Sequence, residues 1–300
     1  MKIGINQFCY PMSYDVGDAI EATARMGFDS IELCFTAGEG YSSGGGGGVT
    51  DALDISGYYN RLLNMDSKDS DFRALRRLAD DAGLRVSSVG GIASFTIWPL
   101  TAKDPGIAKK SIEAGKKMLD AADILGADTV LVIPGMVTED LEYLEAFEIA
   151  QERIALLADH APHMGIGIEN VWNNMLYSPL ELNSFVDGTG RPNVGVYFDI
   201  ANARRFGCPE AWIRCLGRRI RKFHCKDYRM SLDNINAFTN ILDGDVNYPA
   251  VLDAIRGIGY DGDLVVELTP PAHYLVESTL AYARRTLLEL LDMQKKEERK

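Results

Sequence analysis

Five times along this chain a helical pattern closes on an apolar residue followed by glycine, and an apolar run begins shortly after. The pairs are Met26-Gly27, Ala82-Gly83, Leu125-Gly126, Met164-Gly165 and Ile258-Gly259. The runs behind them are DSIELCF, RVSSVGG, DTVLVIPG, IGIEN and DLVVEL. Glycine just past a helix accepts the left-handed conformation that ends it. Helix-to-strand junctions repeated in this way imply βα units, whose strands run parallel. The opening run Lys2 to Phe8 and the runs Val194 to Phe198 and Ile220 to Phe223 bring the expected strands to eight. The prediction is a single (β/α)8 TIM barrel spanning residues 1–300, a length such barrels commonly reach as one domain.

Between the strands, helices are expected over 16–26, 71–82, 105–125, 139–164, 209–216, 250–257 and 274–293. The clearest is 105–125, where Ile107, Ile112, Met118, Leu119, Ala122 and Leu125 keep amphipathic spacing. Glu139, Asp140 and Glu142 are expected in the first turn of the helix over 139–164, where the macrodipole favours acids. Ser178-Pro179 reads as an N-cap with proline at the first helical position. The pattern lapses over about 37–68, a long loop with glycines at 44–48 and no Gly-Lys-Ser/Thr of a phosphate-binding loop. It follows a strand, so it falls on the catalytic side of a barrel and is a candidate lid. Residues 294–300 read as a solvated tail.

The net charge of −12 argues against nucleic acid and against an anionic membrane surface as partners, since both demand a basic face. A small anionic substrate needs only a local cation and stays open. The cysteines are odd in number, scattered and without a CxxC pair, which fits a reduced, cytoplasmic protein. The N-terminus enters directly into a strand-like run without the pattern of a signal peptide. No apolar run is long enough to span a bilayer.

Four apolar runs deliver a residue that dislikes a core: Glu169, Asp199, His224 and Glu267. Catalytic groups of parallel barrels sit at such strand ends. Any one of the four could instead be a salt-bridge partner or a helix N-cap. Three carboxylates buried together are costly without a cation. A single divalent metal held by three carboxylate oxygens and one imidazole nitrogen is the economical answer. Mn2+ or Mg2+ suits that set best, with Co2+ or Zn2+ as further options; the thiolates of structural zinc are missing.

Other pocket candidates come from strand parity and loop position. Lys226 shares parity with His224 and can reach a substrate oxygen or phosphate, or else a neighbouring carboxylate. Glu32 interrupts an apolar strand and, facing inward, would take a substrate hydroxyl. Trp98 is in a βα loop, where it can wall the substrate or pack between helices. Arg229 is a second cation for an anionic substrate, and Asn173 and His273 also fall in βα loops. Cys225 has the opposite parity to His224, and His160 and His163 fall near a helix C-terminus, away from strand ends.

The motifs I-E-N (168–170), F-D-I-A-N-A (198–203), F-H-C-K-D (223–227), D-G-D-V-N-Y (243–248) and I-G-Y-D-G followed by V-E-L (258–268) run through the chain in order. In these the sequence resembles the sugar phosphate isomerase/epimerase family of xylose-isomerase-like barrels, which also includes relatives of endonuclease IV. The resemblance implies that Glu169, Asp199, His224 and Glu267 bind one divalent metal and that the two glutamates also move protons. It implies isomerisation or epimerisation of a ketose or ketose phosphate through an enediolate. Free-ketose 3-epimerases of that family usually carry histidine three residues after the metal-binding aspartate. Asn202 stands there in this chain, more like the branch acting on sugar phosphates or keto-polyols, and it is a substrate-binding candidate. The same chemistry serves keto-polyol dehydratases or lyases, of inosose, dehydroshikimate or 3-keto-glycoside type. A catalytically silent sugar-binding barrel is a further alternative. A nuclease would need more histidines than the four present. The expected partner is a small sugar or sugar phosphate, with a homo-oligomer as an option.

Overall fold

Strand after strand in this chain is buried along nearly its whole length, as in parallel sheets whose two faces are both covered. The computed structural model describes residues 1–38, 60–269 and 274–297. Its barrel strands are β1 (Lys2–Asn6), β2 (Ser30–Cys34), β3 (Arg85–Gly90), β4 (Thr129–Val132), β5 (Gly165–Glu169), β6 (Val194–Asp199), β7 (Ile220–Cys225) and β10 (Asp263–Val266). They pair in parallel in the order β1-β10-β7-β6-β5-β4-β3-β2, and β2 returns to β1. The intervening β8 (Asp227–Tyr228) and β9 (Phe238–Thr239) form a small antiparallel ribbon beyond the end of β7.

Helices cover the barrel where periodicity expects them, with capping chemistry marking several starts. Asp15 and Asp18 form a reciprocal capping box at the helix Val16–Arg25. Asp104 caps Pro105–Leu125 and Ser178 caps Pro179–Gly188, each with proline at the first turn. Four of the five glycine stops take positive φ: Gly27, Gly83, Gly126 and Gly259. Gly165 is different. It is the first residue of β5, and the preceding helix has already ended at His160. A side chain at 165 would meet the backbone oxygen of Asp128 at 3.0 Å, so glycine serves close strand approach there.

Several expected boundaries shift. The helix expected over 139–164 is Tyr143–His160, so Glu139 and Asp140 precede it and Glu142 is its N-cap residue. The loop around SFTIWPL begins as a helix, Ile92–Ile97. The glycines at 44–48 lie outside the described residues, but the end of that long segment belongs to the body: Asn60, Leu63 and Asn64 are buried, and Thr36 bridges to Asn64. The last helix runs to Glu297. Gln294, expected in a solvated tail, is buried and donates to the Pro249 carbonyl and to Asp253, so the tail starts later than composition suggests.

The N-terminal end of the barrel is closed by ions. Buried Lys222 pairs with Asp263 at 3.1 Å and with Asp128 at 2.9 Å; Arg85 reaches Asp263 at 2.5 Å, and Ser30 donates to it at 2.9 Å. Reactive groups at the other end therefore stand on a plugged, rigid floor. Among the described residues no helix is long and apolar enough to cross a membrane.

Candidate active site

Glu169 and Asp199 are the last residues of β5 and β6, His224 is the penultimate residue of β7, and Glu267 directly follows β10. The backbone N–H of Glu267 donates to the Cys225 carbonyl at 3.1 Å, so the ladder holds it in place beyond the strand end. One ligand atom from each of the four lies within 4.8 Å of the others, and all four residues are buried. His224 Nδ1 faces the three carboxylates, 3.2 Å from Glu169, 3.4 Å from Glu267 and 3.8 Å from Asp199.

Asp199 divides its oxygens. Oδ1 accepts from the Asn202 N–H at 2.7 Å and caps the short helix Ile200–Arg204, while Oδ2 faces the cluster. Its helix-capping and site roles coexist in one side chain. Asn170 fastens this strand end by donating to the Asp199 carbonyl and accepting the Asp199 N–H.

Charge in the cluster is balanced by two cations. Burial disfavours the imidazolium of His224, but Glu267 and Glu32, with bonds to Glu169 and Glu32, outweigh it and hold the imidazole well above its usual range. Lys226 Nζ bonds both Asp199 and Glu267. Burial pushes the carboxyl of Glu169 up, aided by the charges of Glu267 and Asp199. Burial also acts on Glu267, but the charges of His224 and Lys226 prevail and pull it down. Hard oxygen donors converging with one imidazole nitrogen are a donor set that fits a divalent cation. On chemistry and convergence, the residues present fit such an ion.

Above the cluster opens a cavity whose polar floor includes Glu169, Glu267, Lys226 and Asn202 and whose walls are aromatic and aliphatic. Phe8, Phe95, Trp172 and Phe238 supply the aromatic surface. Trp172 is fixed by donating to the Asn202 carbonyl at 3.2 Å, by rings of Phe238 and Tyr228 at 5.0 and 5.5 Å, and by the Arg205 guanidinium at 4.5 Å. Asn173 also lines the cavity; its amide nitrogen donates to the Gly135 carbonyl and its buried Oδ1 has no hydrogen-bond partner.

Three expected substrate contacts move. Trp98 does not line this cavity; it packs against Ala37 and Ala114, with the Lys110 ammonium 5.9 Å from its ring centre. The helical turn Ile92–Ile97 carries it outward, and Phe95 from that turn lines the cavity instead. Arg229 is exposed and donates to the Asp243 carbonyl at 2.8 Å, because the β8–β9 ribbon turns the chain away from the barrel mouth. Glu32 points inward as expected but lies beneath the cavity floor, fully buried and bonded to His224 Nε2 at 2.9 Å. Asn202 and Lys226 do line the cavity. His160 and His163 pair with Asp120 and Asp123 on helix surfaces, and His273 lies outside the described residues. Sequence reasoning missed Trp172 and Phe238; Trp172 carried a usable signal, as an aromatic three residues past a reactive strand end.

A closed parallel barrel with an acidic, imidazole-bearing centre at its C-terminal mouth defines a class of barrels whose centre could hold a metal ion. The chain belongs to the xylose isomerase-like TIM barrel family, whose model matches residues 20–286. An uncharacterised protein of Methanocaldococcus jannaschii is 27% identical over 54% of this chain, and the match spans only 57% of that relative. A ketose 3-epimerase of Arthrobacter globiformis is 23% identical over 68% of this chain and 70% of its own length. The solved structure of a D-tagatose 3-epimerase-like protein shares the fold with a TM-score of 0.78 at 20% identity, covering 99% of each chain.

Proposed function

We propose that this protein is a divalent-metal-dependent epimerase or isomerase of a neutral, unphosphorylated ketose or closely related keto-polyol. The observation that carries the reading is the convergence of ligand atoms of Glu169, Asp199, His224 and Glu267 within 4.8 Å of one another beneath an aromatic-walled cavity. The similarity to a ketose 3-epimerase over two thirds of the chain supports the same class. A silent binding barrel has no need to keep four converging ligands buried at such cost.

A divalent cation held by these four residues would polarise the substrate carbonyl and stabilise the negative charge of an enediolate. The chain's own residues do the rest. One of the two glutamates, Glu267 and Glu169, takes the proton alpha to the carbonyl as general base, and the other returns one. Return to the same carbon from the other face gives an epimer, and return to the neighbouring carbon gives an aldose. The aromatic walls orient the substrate and exclude water, and Asn202 and Lys226, which line the cavity, are positioned to meet its hydroxyls.

The preference for a neutral substrate rests on Lys226. It is the one cation lining the cavity among the described residues, and it already bonds Asp199 and Glu267. With Arg229 turned away, no free cation lines the cavity for a phosphate among the described residues.

Incubation in D2O with Mn2+ or Mg2+ tests the reading, using ketopentoses, ketohexoses, their phosphates and inosose, with products read by NMR after protein removal. Deuterium alpha to the carbonyl of a free ketose is the expected result. Loss of water from the keto-polyol would establish the dehydratase alternative, and absence of exchange from every substrate would overturn enediolate chemistry.

A further inference from the structure

Glu32 faces the nitrogen of His224 that is turned away from the carboxylate cluster. Its carboxylate is fully buried, and three donors converge on it. Oε1 accepts from His224 Nε2 at 2.9 Å and from Asn6 Nδ2 at 2.5 Å, and Oε2 accepts from Ser88 Oγ at 2.6 Å. The Asn6 amide cannot turn to offer its oxygen, because Asn6 Oδ1 is taken by the Phe8 N–H at 2.7 Å. Strand register builds the arrangement: Asn6 lies opposite Glu32 on β1, and a bulge on β3 skips Ser87 so that Ser88 lies opposite. The Tyr197 ring, 4.5 Å from the imidazole centre, holds its tilt.

A neutral imidazole has one N–H and one lone pair, and the hydrogen bond made by one nitrogen selects which is which. A metal-binding histidine commonly gives its other N–H to a carboxylate, which orients the ring and raises its basicity. Here Nε2 faces the Glu32 carboxylate while Nδ1 faces Glu169, Asp199 and Glu267. We propose that Glu32 is a positioning residue that keeps the His224 proton on Nε2 and thereby presents the Nδ1 lone pair to a divalent cation. This rests on the metal-centred reading above. It replaces the substrate-binding role expected for Glu32, which lies below the cavity floor and cannot reach a sugar.

Two measurements test it. In wild-type protein carrying 15N-histidine and loaded with Zn2+, long-range proton–nitrogen NMR is expected to show His224 protonated at Nε2 and metal-bound at Nδ1. The reverse tautomer would overturn the proposal without recourse to any variant. In calorimetric titration with Mn2+, Glu32→Gln is expected to raise Kd by roughly 10- to 100-fold. The unfolding midpoint of the metal-free variant should be unchanged or raised, since a buried charge has been removed from a crowded acidic site. Wild-type affinity in the variant, or a loss explained by a lowered metal-free midpoint, would overturn the role of Glu32 alone. A wild-type protein that binds neither Mn2+ nor Zn2+ would overturn the metal-centred reading and this proposal together.

Discussion

The ammonium of Lys226 lies 5.1 Å from the centre of the Phe238 ring, pinned between that ring and the carboxylates of Asp199 and Glu267. Its charge is engaged before a substrate arrives. A phosphate entering this cavity would lose solvation without gaining a free cation from the described residues, a cost of about 1–3 kcal/mol or more. Phosphorylated ketoses are therefore expected to show kcat/KM lower than their free counterparts by about tenfold or more. Paired initial-rate measurements check this; equal or better turnover of the phosphates would reverse the assignment.

Removing metal should destabilise the protein. At a free Mn2+ concentration about 100 times Kd, binding to the native state alone adds about 2.7 kcal/mol. The gain should grow as pH rises toward the folded value of the His224 imidazole, which is held well above its ordinary one. Burial opposes the proton on His224, but Glu267 and Glu32 outweigh burial and keep it bound. Proton and cation compete for the ring, so raising pH favours the cation. Melting curves with EDTA and with Mn2+ at several pH values measure the effect, and a pH-independent difference would place the ion elsewhere.

Glu169→Gln and Glu267→Gln should each leave a folded barrel and lower turnover by roughly 10²- to 10⁴-fold, the usual worth of a positioned acid or base. If the two glutamates serve opposite faces, residual deuterium exchange will differ between epimers. Glu267→Gln should lose exchange first on the epimer presenting its proton to Glu267, and Glu169→Gln on the other. Identical losses on both epimers would indicate a single shared base.

Asp263→Asn tests the floor of the barrel. Burial raises the Asp263 carboxyl, but Arg85 and Lys222 outweigh it and hold it below the usual range. A carboxyl depressed in the folded state stabilises above its unfolded value of about 3.9, and that contribution is lost as pH falls through the lower folded value. The substitution leaves buried Lys222 without its buried partner and is expected to cost about 3–5 kcal/mol near neutral pH. The gap to wild type should close in acid, once the wild-type Asp263 is itself protonated. Denaturant titrations at neutral and acid pH report both values.

Glu169, Asp199, His224 and Glu267 were legible because each follows an apolar run, and equivalent strand ends of a parallel barrel meet at one mouth. Lys226 followed from parity with His224 on the same segment. Glu32 shows where parity stops: it indicates an inward side chain but not its depth, and the bulge that brings Ser88 opposite has no mark in the sequence. Trp98 and Trp172 both lie in βα segments, yet only Trp172 enters the cavity, because a helical turn carries Trp98 onto a neighbouring helix. Arg229 stands outside the cavity lining, and nothing in its neighbourhood announces the β8–β9 ribbon that places it there.

The sequence by itself determined the barrel, four of its five expected glycine helix stops and the four groups at its mouth. These depend on periodicity, capping and strand-end chemistry, which act over a few residues. The tertiary structure alone decided which His224 nitrogen faces the carboxylates, that Lys226 is already paired, and which aromatics wall the cavity. Those outcomes depend on side chains brought together from separate strands and loops, at distances that no local spacing encodes.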